Sequence, residues 1–191
     1  MSVGDATSAR RLEVGGIGLN VLDDGEGPAV LLLHGFPDSL DLWRHQVPAL
    51  TGSGFRVVAP DWGAALALRR DDWRLFREAF GGGGDLDRYI EDLSRPGRLT
   101  AGLNWYRANL SPESFVSAIS SAVPAVSCPT LGVWSSGDVA LTEHQMTSSA
   151  ANVNGPWRYE RIDGASHWIP VDAPERLNEL LIDFLTGEES R

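Results

Sequence analysis

The sequence predicts an α/β fold, a mostly parallel β-sheet covered by helices, and two observations carry this prediction. Apolar runs without polar alternation occur at residues 29–33, 55–58 and 129–134, which is typical of parallel strands buried on both faces. Segments with helical spacing of apolar residues stand between the predicted strands, as in α/β sheets. The composition, 42% hydrophobic and 22% charged, is that of an ordinary folded domain.

The N-terminal elements follow in order. Residues 11–22 predict a β-hairpin, in which Gly15 and Gly16 supply the two-residue turn. The apolar strand at residues 29–33 leads into a helix that Ser39 would cap and that would run to Leu50.

Three segments divide the chain. Residues 1–71 form the N-terminal part of the core, residues 72–112 read as a helical lid without a strand, and residues 113–191 form the C-terminal part of the core. In that last part, residues 157–162 alternate like a strand, and Asp172 would cap a final helix.

Charge and motifs exclude several classes of function. The net charge of −10 argues against nucleic acid or an anionic membrane as partner. No apolar run approaches the ~20 residues of a membrane span. Residues 1–11 lack the apolar core of an export signal, and the single cysteine fits a reducing compartment, so we expect a cytoplasmic protein. No metal-ligand spacing and no nucleotide fingerprint occurs, so no metal or other cofactor is expected.

Asp61 is the first candidate for catalysis. An apolar strand ends at Ala59-Pro60-Asp61-Trp62-Gly63, where small residues would let the chain turn steeply and present a carboxylate above the sheet edge. A carboxylate in that place can act as a nucleophile. The alternative is an ordinary helix cap at the end of a strand.

Two further reactive groups follow predicted strands. Asp138 comes after the strand at residues 129–134, and His167 comes after the strand at residues 157–162. Because ligands bind outside the carboxyl ends of strands in such sheets, the three groups are expected near one site. His167 could activate water for hydrolysis of an ester, with a carboxylate orienting its ring. Asp163 competes with Asp138 for the orienting role, and Asp138 is preferred because it closes a separate strand after a glycine. A purely structural His167 is the alternative.

With these motifs in order, the chain resembles an α/β-hydrolase of the epoxide hydrolase group. The matching segments are residues 31–37, Trp43 with Arg44, and residues 61–65, 103–107, 137–138 and 164–168. The resemblance implies an α/β-hydrolase-like sheet, a small hydrophobic substrate and these roles: Asp61 as nucleophile, Tyr106 as proton donor to the epoxide oxygen, His167 as base, Asp138 as its orienting acid, Phe36 and Trp62 as oxyanion hole, and His34, Gly35, Pro37, Trp105 and Trp168 as substrate contacts.

The chain departs from that family in its middle. The family has a separate central strand that carries the nucleophile, whereas here Asp61 follows Pro60 on what resembles the preceding strand. We therefore predict a shortened lid and missing central strands. Exposed apolar surface should result, unless the chain dimerises or the strand at residues 55–58 takes the place of the missing central strand.

Three functions remain open at this point. The first is opening of epoxides to diols through an ester on an aspartate. The second is haloalkane dehalogenation by the same chemistry, with the indole of Trp62 holding the halide. The third is an inactive, internally shortened remnant of an epoxide hydrolase-like protein.

Overall fold

The computed structural model describes residues 9–14, 17–35, 38–61, 73, 77, 85–98 and 124–187. Its strands form two separate sheets, one of four strands and one of two. The predicted α/β architecture is confirmed, and within these residues no strand joins the two sheets, as the sequence predicts.

The first sheet begins with the predicted hairpin. Strands β1 (Arg10–Val14) and β2 (Ile17–Asp24) pair antiparallel. Strand β4 (Arg56–Asp61) pairs antiparallel with β2 and parallel with β3 (Ala29–Leu31), so the order is β1-β2-β4-β3. Among the described strands, β3 is therefore the last of this sheet.

The second sheet consists of two parallel strands. Strand β5 (Thr130–Ser135) pairs with β6 (Trp157–Ile162), from Thr130 opposite Trp157 to Ser135 opposite Ile162. Within the described ranges no strand stands between β3 and β5. A continuous central sheet is thus absent from the part of the chain that the structure describes.

Helices surround both sheets. In chain order the α-helices are α1 (Gln46–Gly52), α2 (Leu86–Ser94), α3 (Glu143–Ser148), α4 (Ile169–Asp172) and α5 (Pro174–Thr186), and 3₁₀ turns occupy Leu40–Trp43 and Ser149–Asn152. A capping box starts α3, since Thr142 and Gln145 exchange hydrogen bonds there. No described helix combines the length and the apolar character that crossing a membrane demands.

The last helix joins the two sheets. Leu180 of α5 is fully buried with Ile162 of β6, whereas its neighbours Leu181 and Ile182 pack on the cluster formed by α1 and the first sheet. One apolar stripe therefore serves two cores. Helix α5 therefore packs against both of the described sheets.

Several expectations about local structure are wrong. Strand β3 is not buried on both faces, because Leu31 and Leu33 are 59% and 54% exposed. The strand at residues 55–58 does not take a central position beside β5, since β4 keeps β2 and β3 as neighbours. Asp172 ends α4 and does not cap α5, for its carboxylate accepts a hydrogen bond from the Ser166 N–H instead.

Candidate active site

Two loops meet at the carboxyl ends of β5 and β6. The acid loop, residues 136–141, follows β5, and the histidine loop, residues 163–168, follows β6. The Ser136 N–H donates to the Ile162 carbonyl at 3.1 Å, and the Gly137 N–H donates to the Ala165 carbonyl at 3.0 Å. A side chain at Gly137 would run into that Ala165 carbonyl, so only glycine lets the loops approach this closely.

Asp138 and His167 form a hydrogen-bonded pair across these loops. Nδ1 of His167 lies 2.9 Å from Oδ2 of Asp138. The other carboxylate oxygen accepts the N–H groups of Ala140 and Leu141 at 2.8 and 2.9 Å. The Asp138 side chain is 8% exposed and that of His167 is 36% exposed. The acid is therefore enclosed, and the imidazole keeps a surface open to solvent.

The surroundings of Asp138 keep it ionised. Burial by itself would raise the pKa of this carboxyl, but hydrogen bonds from the Leu141 N–H, the His167 ring and the Ala140 N–H outweigh burial and lower the pKa below its usual value. An ionised carboxylate on Nδ1 leaves Nε2 of the same ring as the atom that can take a proton. With this arrangement the imidazole of His167 can act as a general base whose ring Asp138 orients.

Ser135 fastens the histidine loop to β5. Its side chain is fully buried, and its hydroxyl lies 2.5 Å from the Ala165 carbonyl and 2.7 Å from the Ser166 carbonyl. On the other side, Asp172 accepts the N–H and the hydroxyl of Ser166. His167 thus follows a backbone segment that is held from both sides.

Asp163 makes different contacts from Asp138. Its carboxylate accepts from Arg161 Nε at 2.8 Å, and its side chain is 76% exposed. The hydrogen bond from Arg161 is the main reason why the pKa of Asp163 lies below its usual value. Between the two acids that the sequence left open, the structure places Asp138 against the histidine.

A buried polar cluster connects the histidine loop to the end of β3. The indole N–H of Trp168 donates to Oδ2 of Asp38 at 3.2 Å, and the ring of Trp168 lies 5.8 Å from that of Tyr89. Trp168 also contacts His167 edge to face, with ring centroids 5.4 Å apart. Burial raises the pKa of Asp38, with the Tyr89 hydroxyl and the Trp168 indole acting against this rise.

Ion pairs hold α2 over this cluster. Arg44 and Asp85 lie 2.6 Å apart, and so do Arg88 and Asp41. Both pairs join the 3₁₀ turn region after β3 to the start of α2, and Tyr89 lies buried between them and Trp168. The lid helix that the sequence predicts is therefore fixed to the core at its N-terminal end.

The remaining candidates lie in varied places. His34 is buried, and its Nδ1 lies 3.0 Å from the Gly35 carbonyl. The backbone of Asp61 ends β4 opposite Asn20. Five candidates lie outside the described residues: Phe36, Pro37, Trp62, Trp105 and Tyr106. Within the described ranges no group of three or more metal-binding side chains occurs.

Sequence reasoning missed Asp38 and Ser135. Their roles depend on contacts with residues far along the chain, at positions 168 and 165. The only signal in the sequence was position: Ser135 ends an apolar strand, and Asp38 lies in the loop after another. For Tyr89 the sequence showed an amphipathic helix, and its contact with Trp168 is again a long-range feature.

The chain is similar in sequence to known proteins. Residues 28–66 match the family model described as alpha/beta hydrolase fold. Epoxide hydrolase A of Mycobacterium tuberculosis is 24% identical over 323 aligned positions, which cover 97% of this chain and 99% of that protein. Because the chain has 191 residues, many of those positions have no counterpart in it. Epoxide hydrolase B of the same organism is 66% identical over 38 residues, 20% of this chain and 11% of that protein.

A solved structure shares the fold. Epoxide hydrolase A from Mycobacterium thermoresistibile superposes with a TM-score of 0.74 and 22% identity, over 97% of this chain and 100% of that one. This superposition supports the α/β fold of the chain.

Proposed function

We propose that this chain, which belongs to the α/β-hydrolase superfamily and whose relatives are epoxide hydrolases, opens epoxides to diols through an ester on Asp61. The observation that supports the proposal most is the Asp138–His167 pair at the carboxyl ends of β5 and β6. Such a pair activates water, and water is the second reactant in epoxide hydrolysis.

The reaction runs in two steps. The carboxylate of Asp61 attacks one ring carbon, the carbon–oxygen bond of the epoxide breaks, and Tyr106 gives its proton to the leaving alkoxide. Nε2 of His167 then takes a proton from water, the hydroxide attacks the ester carbonyl, and the diol leaves with the Asp61 carboxylate restored. The imidazolium of His167 loses its proton and the phenolate of Tyr106 regains one, both through solvent, which returns the enzyme to its starting state. Asp138 stabilises the imidazolium that exists during the second step.

The oxyanion of that second step needs donors. We assign them to the N–H groups of Phe36 and Trp62, as the resemblance implies. The substrate is a small hydrophobic epoxide, held by His34, Gly35, Pro37, Trp105 and Trp168. The buried contact of Trp168 with Asp38 supports this assignment, because it links the loop after β3 to the histidine loop.

The position of Asp61 is compatible with the proposal in topology. It ends β4, the parallel neighbour of β3, so both strands present their carboxyl ends to the same side of the sheet. The loop that follows β3 contains Asp38, which contacts the histidine loop through Trp168. The loop after β3, the parallel neighbour of the strand that carries the proposed nucleophile, is therefore connected to the histidine loop through one buried cluster.

An inactive remnant is the second candidate, and the gap between the two sheets favours it. Parallel strands are normally buried between neighbours, and here β3 ends one sheet and β5 begins another. The distance between a nucleophile on β4 and His167 is therefore set by how the two sheets pack, since no described strand links them.

Product analysis separates the candidates. The purified chain is incubated with styrene oxide and, in parallel, with 1-bromobutane, and diol and bromide are measured. We expect diol without bromide, and we expect His167→Gln to abolish diol formation while His144→Gln, which changes an exposed histidine of α3, leaves it unchanged. Bromide release would instead show a dehalogenase. If the folded protein forms neither product, the chain is the inactive remnant.

A further inference from the structure

One edge of β3 pairs with β4, and the other edge faces away from it. The Leu32 N–H donates to Val58 and the Pro28 carbonyl accepts from Arg56, so even-numbered residues of this segment bond to β4. By alternation, the backbone groups of Ala29, Leu31 and Leu33 point to the opposite edge. No strand in the described ranges pairs with that edge.

One face of the same strand is also uncovered. Val30 and Leu32 pack in the cluster formed with α1, whereas Leu31 and Leu33 are 59% and 54% exposed. Together with Ala29, which is exposed as well, these residues join an open backbone edge to an apolar surface. Both features favour the addition of another strand.

The opposite edge of the sheet is protected in a way that β3 is not. Strand β1 carries Arg10, Arg11 and Glu13, and charged side chains on an edge strand hinder pairing with other chains. The segment from Ala29 to Leu33 carries no charge. The edge formed by β1 is therefore suited to solvent, whereas the edge formed by β3 is suited to pairing with another strand.

We propose that β3 pairs antiparallel with β3 of a second copy of this chain, about a two-fold axis at Leu31. A second copy fits because one contact then closes both open edges and joins two four-stranded sheets. Strand β5 of another copy fits less well, because β5 has no exposed residue and its pairing with β3 would leave further edges open.

The contact is small, so the dimer is weak, with a Kd on the order of micromolar. Both copies carry a net charge of −10, so their repulsion opposes association and salt should strengthen it.

Sedimentation velocity over a hundredfold range of concentration tests the proposal. We expect a monomer–dimer equilibrium that Leu31→Lys weakens at least tenfold, because the lysine places like charges next to the two-fold axis. Leu185→Lys is the matched control, since Leu185 is 39% exposed at the end of α5 and far from β3 in sequence, and it should leave the Kd unchanged. Circular dichroism confirms that each variant is folded.

A cross-link tests the pairing itself. In a Cys128→Ser background, Leu31→Cys should form a disulfide-linked dimer under mild oxidation, because the axis brings the two cysteines within reach. A monomer at every concentration, or a dimer that Leu31→Lys does not weaken, would overturn the proposal. So would a dimer in which Leu31→Cys forms no disulfide. None of these readouts depends on catalytic activity.

Discussion

The hydroxyl of Ser135 should contribute more to the stability of the candidate site than most single groups do. Ser135→Ala removes a fully buried donor that lies between the carbonyls of Ala165 and Ser166. The Ala165 carbonyl keeps the Gly137 N–H at 3.0 Å. The Ser166 carbonyl has no such replacement among the hydrogen bonds seen in the described residues.

The expected loss follows from these contacts. A net hydrogen bond contributes about 1 kcal/mol, and an unsatisfied carbonyl adds about 1 kcal/mol or more. We therefore expect a loss of about 2 kcal/mol in the free energy of unfolding, which lowers Tm by about 4–8 °C for a chain of this length.

The neighbouring serine provides the control. Ser136 accepts one hydrogen bond from the Gly164 N–H at 2.9 Å and is exposed, so Ser136→Ala should cost less than about 1 kcal/mol. Both variants are measured by thermal and urea unfolding with the wild-type m-value as reference. Equal losses in the two variants would refute the idea that Ser135 fastens the histidine loop.

Three further predictions concern the loops and the open sheet edge. Gly137→Ala should lower Tm by several degrees, because the added methyl meets a carbonyl of the histidine loop, whereas Gly52→Ala, with open space around it, should not; a thermal melt of both variants decides this. Folding lowers the pKa of Asp138, so the stability that its carboxylate contributes is present above about pH 4 and is lost as pH falls through the pKa of the folded state. The difference in Tm between the wild type and Asp138→Asn should therefore shrink from pH 7 to pH 3. A difference that stays constant would contradict this. The native protein should bind a hydrophobic dye at Leu31 and Leu33, and Leu33→Lys should reduce the fluorescence; unchanged fluorescence would place the dye elsewhere.

Local sequence patterns predicted the elements whose signals are local. The alternation at residues 157–162 coincides with β6, and the two strands of the predicted hairpin pair as β1 and β2. The capping box of Thr142 and Gln145 at the start of α3 is likewise a local signal. These features depend on neighbouring residues alone, so one sequence contains the information for them.

Burial of β3 could not be predicted in the same way. An unbroken apolar run indicates a strand that has neighbours on both sides and helices on both faces. Whether those neighbours exist depends on other parts of the chain, and in the part that the structure describes no strand pairs with the far edge of β3. Leu31 and Leu33 keep the character of a central strand in an edge position.

The candidate site shows the same division. Asp138 and His167 could be proposed because each directly follows a predicted strand, and carboxyl ends of neighbouring parallel strands lie together. The choice between Asp138 and Asp163 required the structure, since both flank predicted strands. The contact between Asp38 and Trp168 joins residues 130 positions apart, and no local pattern announces it.

Trapping of the ester intermediate tests the central claim most directly. The purified His167→Gln variant is first checked for folding by circular dichroism. It is then exposed to styrene oxide, and its intact mass is measured. Without the base, the ester on Asp61 should form and persist, so we predict one adduct per chain that is absent when Asp61→Asn is added. A folded His167→Gln variant without any adduct, or with an adduct that survives Asp61→Asn, would contradict the account.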